Sequence, residues 1–217
     1  MIFQIPDVLS ADELSAIQTT LATAEFVDGK LTAGWYAKHV KQNQQLKGTD
    51  AKDLRERIQA ALTRHPLFQA AVRPKQVHSL LLSRYNSGME YGRHIDNALM
   101  GRQRSDVSFT VFLSDPQDYS GGELVIEGAD DERRYKLAAG AAIVYPSSTL
   151  HRVDTVTAGT RLVAVGWVQS WIRDTAQREI LFDLDTVRRS LYGQAGKTNE
   201  FDLLSKSLAN LMRQWAE

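Results

Sequence analysis

The chain has 217 residues, 43 % hydrophobic and 24 % charged, and its 26 Lys and Arg balance its 26 Asp and Glu. Zero net charge removes the clustered positive excess that non-specific nucleic-acid binding needs, so no nucleic-acid partner is expected. With no cysteine, disulfides, thiolate metal sites, iron–sulfur clusters and thiol nucleophiles are excluded, and any metal must be held by His, Asp or Glu.

The N-terminus "MIFQIPDVLSADE" lacks the charged-then-apolar pattern of a leader. No apolar run approaches the ~18 residues of a membrane span. The expectation is a cytoplasmic protein with no membrane partner. Ser10 and Glu13 make a capping-box signature ahead of "LSAIQTTLATA", whose apolar positions recur at helical spacing. A polar stretch, "AKHVKQNQQLKG", follows Trp35 and Tyr36. It is expected to form part of a substrate rim, with Trp35, His39 and Asn43 as contacts. "TDAKDLRERIQAALTRH" reads as a second amphipathic helix, capped by Thr49 or Asp50 and followed by Pro66. The first third therefore reads as mostly helical.

From about residue 76 the texture becomes short β runs between clusters of Gly, Asn, Asp, Pro and Ser. "QVHSLLLSRYN", "EYGRHID", "SDVSFTVFLSD", "GELVIEG", "RRYKLA", "AAIVYP", "LHRVDTV" and "TRLVAVGWVQS" are the candidate strands. Short strands at such even spacing predict a double-sheet jelly roll or a closed barrel. "SGGELVIEG" reads as a hairpin turn, because glycine supplies positive φ. After Trp171 the pattern is helical again, with "IRDTAQREILFDLDTVRRSLYG" as one long helix and a second starting near Asn199. The fold class is thus α+β: N-terminal helices, a β core and a C-terminal helical tail. The tail's amphipathic faces fit a lid, a plain support or a homodimer interface.

His94 and Asp96 leave an extended segment on the same side, because residues i and i+2 share a face. That spacing suits a shared metal ion, and equally a hydrogen-bonded surface pair. Of the five histidines, His65 before Pro66 reads as a helix cap and His78 as a core or rim residue. His151 opens a strand that a jelly roll can set beside His94. Two imidazoles and one carboxylate would then make a facial triad with open metal positions. Arg161 lies ten residues after His151, and a hairpin turning near Thr157 to Gly159 would return it beside the metal-bearing strand. An arginine inside an apolar barrel is costly unless it meets an anion, and its fork matches a carboxylate. Asp106, Asp115 and Asp154 read as turn or surface charges, and Trp167 and Trp171 as packing residues.

These residues resemble the Fe(II)/2-oxoglutarate-dependent dioxygenases on the prolyl-4-hydroxylase-like branch, and within it the PKHD-type hydroxylase group. "RYNSGMEYGRHID" is similar to that branch's Arg-Tyr-x-x-Gly…Tyr-x-x-His-x-Asp pattern, and "SDVSFTVFLSDPQDYSGGELVI" to the strand pair that follows. The resemblance covers essentially the whole chain. It implies a double-stranded β-helix core at 76–170, preceded by a 1–75 segment packed on it and followed by a 171–217 helical subdomain. It implies that His94, Asp96 and His151 hold Fe(II), that Arg161 binds the far carboxylate of 2-oxoglutarate, and that Tyr85 helps hold this co-substrate. No catalytic side chain beyond the metal ligands is implied. Where the animal oxygen-sensing enzymes have a second tyrosine, Phe112 stands here, so Ser108 or Thr110 is expected to supply the missing hydroxyl. The implied reaction takes O2 and 2-oxoglutarate, with ascorbate as reductant, and hydroxylates a small-molecule or peptidyl substrate with release of succinate and CO2. The group is also linked with iron uptake. Two other readings stand at this point. One is an iron and 2-oxoglutarate sensor without efficient turnover. The other is a cupin-like protein with another metal, against which Arg161 argues.

Overall fold

The computed structural model describes every residue except Ala33 and Thr49, and Asp50 by its backbone alone. Five helices are present among these residues: α1 Ala11–Thr23, α2 Asp50–Arg64, α3 Pro66–Val72, α4 Thr175–Ala195 and α5 Asn199–Trp215. The strands are β1 Phe3–Ile5, β2 Phe26–Asp28, β3 Lys41–Gln42, β4 Gln44–Leu46, β5 Pro74–Asn86, β6 Glu90–His94, β7 Leu99–Met100 and β8 Gln103–Arg104. They continue as β9 Val107–Phe112, β10 Tyr119–Gly121, β11 Leu124–Glu127, β12 Glu132–Tyr135, β13 Ala142–Pro146, β14 His151–Val153 and β15 Val156–Ser170.

A large antiparallel sheet runs β1-β13-β9-β15-β5-β4-β2, and a smaller one runs β12-β11-β14-β6-β3. The two sheets pack face to face over Tyr85, Phe112, Ile143 and Val163 on one side and Leu124, Ile126 and Val153 on the other. The outer face of the large sheet buries Leu82, Phe109, Val111 and Ala164 against α1, α2 and α3. Strand β9, "VSFTVF", is therefore buried at every position. Its odd-numbered residues face the helices, and Ser108, Thr110 and Phe112 face the space between the sheets. This is the jelly-roll core that the strand pattern predicts, and all eight candidate strands are present.

The ends follow local chemistry. Ser10 and Glu13 close the capping box at the start of α1. The His65 ring nitrogen accepts from the Leu67 N–H at the head of α3, with Pro66 inside the first turn. The Thr49 cap expectation lies outside the described residues, and Asp50 is the first residue of α2. The tail is a helix pair closed over Ile172, Leu181 and Leu208. It is fastened to the core by Arg178, which donates to the Ile172 and Arg173 carbonyls, and by Arg73, which donates to that of Leu181.

One expectation is filled out and another corrected. The first third is mostly helical, and β1, β2, β3 and β4 extend both sheets from it as well. Strands β3 and β4 carry polar residues on their buried face, so an apolar alternation never appears. The chain makes no hairpin at Thr157 to Gly159. Those residues continue β15, paired to β10 through Tyr119 and Gly159. Arg161 consequently sits in the large sheet opposite Tyr85, and reaches the metal-bearing strand across the interior.

Candidate active site

His94 closes β6 and His151 opens β14, and the two are direct cross-strand partners. Asp96 follows two residues beyond the end of the strand, and the three side chains offer ligand atoms that all lie within 4.8 Å of one another. His94 Nδ1 donates to the Gly92 carbonyl at 2.8 Å, and His151 Nδ1 to the Thr149 carbonyl at 3.0 Å. A carbonyl can only accept, so both rings carry their proton on Nδ1 and present a bare Nε2. Asp96 is held by the Ser108 hydroxyl, which donates to its Oδ2 at 2.6 Å, and His151 Nε2 stands 3.8 Å from the same oxygen.

The surroundings favour neutral imidazole. Burial, and then the neighbouring His151, pull the His94 pKa down to about 4. Tyr91 stacks on His94 with ring centroids 3.7 Å apart, and Tyr145 meets His151 edge-on. Two imidazole nitrogens and one carboxylate oxygen on one side of a point, with no thiolate, suit an octahedral iron(II) whose other positions stay open. The donor set fits the metal.

These side chains line a cavity of about 820 Å³, open mouth included, whose far wall carries Arg161. Arg161 is 1 % exposed, yet its Nε and Nη1 have no hydrogen-bond partner. Its guanidinium lies 5.0 Å from the Tyr85 ring centroid and 5.7 Å from that of Phe112. A buried cation with idle donors is stabilised only when an anion arrives. Gly122 makes room for it: φ there is +68°, and a Cβ would lie 3.1 Å from Arg161 Cδ and 2.8 Å from Val156 Cγ2.

The other expected residues are placed unevenly. Tyr85 lies under Arg161, and Thr110 is buried beside the Tyr145 hydroxyl. Ser108 serves Asp96 rather than the arginine. Burial holds Tyr85, Tyr119 and Tyr145 in the neutral phenol, and the Arg161 guanidinium pulls each the other way. Asn43 lines the cavity, whereas Trp35 and His39 are exposed and do not. His78 is a rim histidine on the Arg104 carbonyl. Trp167 is a cavity residue with a buried, unpartnered indole N–H, so packing is not its whole role. Trp171 is half-exposed under Lys75. Asp154 joins a surface network with Arg134 and Arg152, and Asp115 caps a turn at Gln117. Asp106 is not a turn charge: it is buried against Arg104 and the Ser170 N–H.

Lys41, Gln45, Ser83, Tyr91 and Tyr145 also line the cavity, and sequence reasoning did not single them out. The available signal was Lys41, Asn43 and Gln45 at alternate positions; they run from β3 through the link into β4, and each is buried.

The pattern of the 2OG-Fe(II) oxygenase superfamily matches residues 80–169, and that of the PKHD-type hydroxylase C-terminal domain matches residues 175–217. A PKHD-type hydroxylase of Picosynechococcus sp. is 68 % identical over 100 % of both chains, and one of Acaryochloris marina is 65 % identical, again over 100 % of both. Among solved structures, a 2OG-Fe(II) oxygenase family oxidoreductase from Burkholderia pseudomallei superposes with TM-score 0.57 at 19 % identity, covering 77 % of this chain and 84 % of its own. A Trichoplax adhaerens prolyl hydroxylase, solved with a hypoxia inducible factor peptide, gives 0.58 at 15 % identity, covering 77 % and 83 %. Those two likenesses establish the fold.

Proposed function

This chain belongs to the PKHD-type hydroxylases of the 2OG-Fe(II) oxygenase superfamily, and from that premise we propose the part each residue of its site plays. The protein is an iron(II)- and 2-oxoglutarate-dependent dioxygenase that hydroxylates its substrate with release of succinate and CO2. His94, Asp96 and His151 hold the iron through two Nε2 atoms and one carboxylate oxygen. Arg161 takes the far carboxylate of 2-oxoglutarate with its idle donors, the Tyr85 ring lies along it, and the Tyr119 and Tyr145 hydroxyls replace the one that Phe112 lacks. When bound, iron with its co-substrate supplies the oxidising power for attack on a C–H bond. The protein orients the ligands, keeps the His94 imidazole neutral and shields the reaction from water.

The observation that carries this reading is Arg161, a buried cation with two free donors in the same cavity as the triad. Anaerobic titration with Fe(II) and 2-oxoglutarate tests it. The visible charge-transfer band is expected to form, to vanish in His94→Ala and to weaken in Arg161→Leu, with succinate appearing once O2 is admitted. A band without succinate would favour the sensor. The absence of a band would remove the iron site.

The division near residues 75 and 170 is supported by the separate matches to residues 80–169 and 175–217, although strands of the first segment join both sheets. Among the described residues no helix is long and apolar enough to cross a membrane. Exposed Ile180, Val187 and Tyr192 on α4 support a homodimer through the C-terminal helices. Ascorbate as reductant, the link to iron uptake and a cytoplasmic setting rest on the family resemblance.

A further inference from the structure

The cavity holds a second buried cation. Lys41 pairs across strands with Tyr91, is 5 % exposed, and directs its ammonium over the Tyr91 ring at 5.2 Å from the centroid. Tyr91 in turn stacks on His94, so this charge stands about one ring away from the metal ligands. Among the described residues Lys41 forms no ion pair, and its one hydrogen bond goes to Thr32 Oγ1 at 3.1 Å. Burial pulls its pKa down to about 8, with Asp96 resisting.

Its neighbours are donors too. The Thr32 hydroxyl lies 2.6 Å from Gln45 Oε1 and 3.1 Å from the Gly29 carbonyl, and Gln45 Nε2 is buried with no partner. Ser83, opposite Gln45 in the β4–β5 ladder, carries a buried hydroxyl that is also unpartnered. Both side chains line the cavity and are more than nine-tenths buried. With Asn43 Oδ1 also buried and unpartnered on it, this wall is built for a polar group, not for an apolar one.

Charge decides what kind of polar group. Lys41 and Arg161 share one carboxylate inside the cavity, Asp96, while Asp28 acts on Lys41 from the exposed side. A divalent metal and a dianionic co-substrate cancel each other, and so one positive charge is left in a water-poor cavity, on Lys41. A neutral group there, a peptide-backbone amide included, would leave the ammonium uncompensated. We infer that the substrate is a small molecule bearing a free carboxylate, and that Lys41, with Gln45 and Ser83, holds that carboxylate in the cavity wall beside the metal centre. This rests on the iron and 2-oxoglutarate reading above.

The test uses the anaerobic Fe(II)- and 2-oxoglutarate-loaded protein. It is titrated with propionate against propionamide, and with N-acetylglycine against N-acetylglycinamide, following the perturbation of the charge-transfer band and the heat of binding. Each carboxylate is expected to bind at least about tenfold more tightly than its amide, a difference of ~1.4 kcal/mol. Lys41→Met should bring that ratio to about one while leaving the 2-oxoglutarate dissociation constant within about twofold, and Lys41→Arg should retain part of the preference. Circular dichroism establishes that each variant is folded. Equal binding of acid and amide to the wild type would overturn the inference, as would a preference that survives in Lys41→Met. So would a loss of 2-oxoglutarate affinity in Lys41→Met of tenfold or more, which would assign the lysine to the co-substrate. A wild-type protein that forms no charge-transfer band would sink the iron reading itself, and this inference with it.

Discussion

The Ser108 hydroxyl donates to Asp96 Oδ2 at 2.6 Å and shares a hydrogen bond with the Ser147 hydroxyl at 2.8 Å, so a residue of the large sheet orients the carboxylate of the triad. Metal ligands depend on such partners for their orientation. Ser108→Ala is expected to weaken Fe(II) binding about 10- to 100-fold while the fold persists. Co(II) or Fe(II) titration of the folded variant measures it, and unchanged affinity would mean that the loop alone positions Asp96.

Arg161 should show opposite effects on stability and binding. In the ligand-free protein it is a buried cation with idle donors, so Arg161→Leu should leave the melting temperature unchanged or raise it. The same change removes a charge-assisted, two-pronged contact and should weaken 2-oxoglutarate by about 100-fold. Loss of both stability and binding would show that the arginine is a structural pillar.

Gly122 tests the space around that arginine. An added methyl meets Val156 and Arg161 and must also adopt φ +68°. Gly122→Ala is expected to cost about 1–2 kcal/mol of stability by denaturant unfolding. It should also weaken 2-oxoglutarate while sparing the metal, since the triad lies on the other sheet. Metal affinity falling in parallel would mean that the disturbance spreads beyond Arg161.

Glu13 predicts an acid-sensitive helix start. Arg64 first, then the Ser10 backbone N–H, hold its carboxyl down at about 2 from the usual 4.5. A lowered folded-state pKa stabilises above the unfolded value and is lost as pH falls through the folded one. Glu13→Gln should therefore cost of order 1 kcal/mol at neutral pH, after discounting for solvent screening. The gap to wild type should shrink between pH 4.5 and 2. Urea midpoints across that range would read it, and a gap independent of pH would assign the effect to the cap hydrogen bonds alone.

Sequence by itself determined the core strands, through short β runs with turn residues between them, and the metal ligands came with the family resemblance that their motif carries. The capping box of α1 and the helical tail were legible from local rules as well. What lay beyond local rules was decided by tertiary structure. Arg161 reaches the site because two sheets face each other, not through a hairpin, and no local pattern records which strands pack together. Ser108 serves Asp96 rather than Arg161 because β9 passes nearer the triad than its place in the chain implies. The stretch of Lys41, Asn43 and Gln45 reads as a polar substrate rim, and its burial is not legible, since polar residues signal burial only when a cavity is built around them. Distance between chemical groups far apart in sequence is set by packing, and packing is a property of the whole fold.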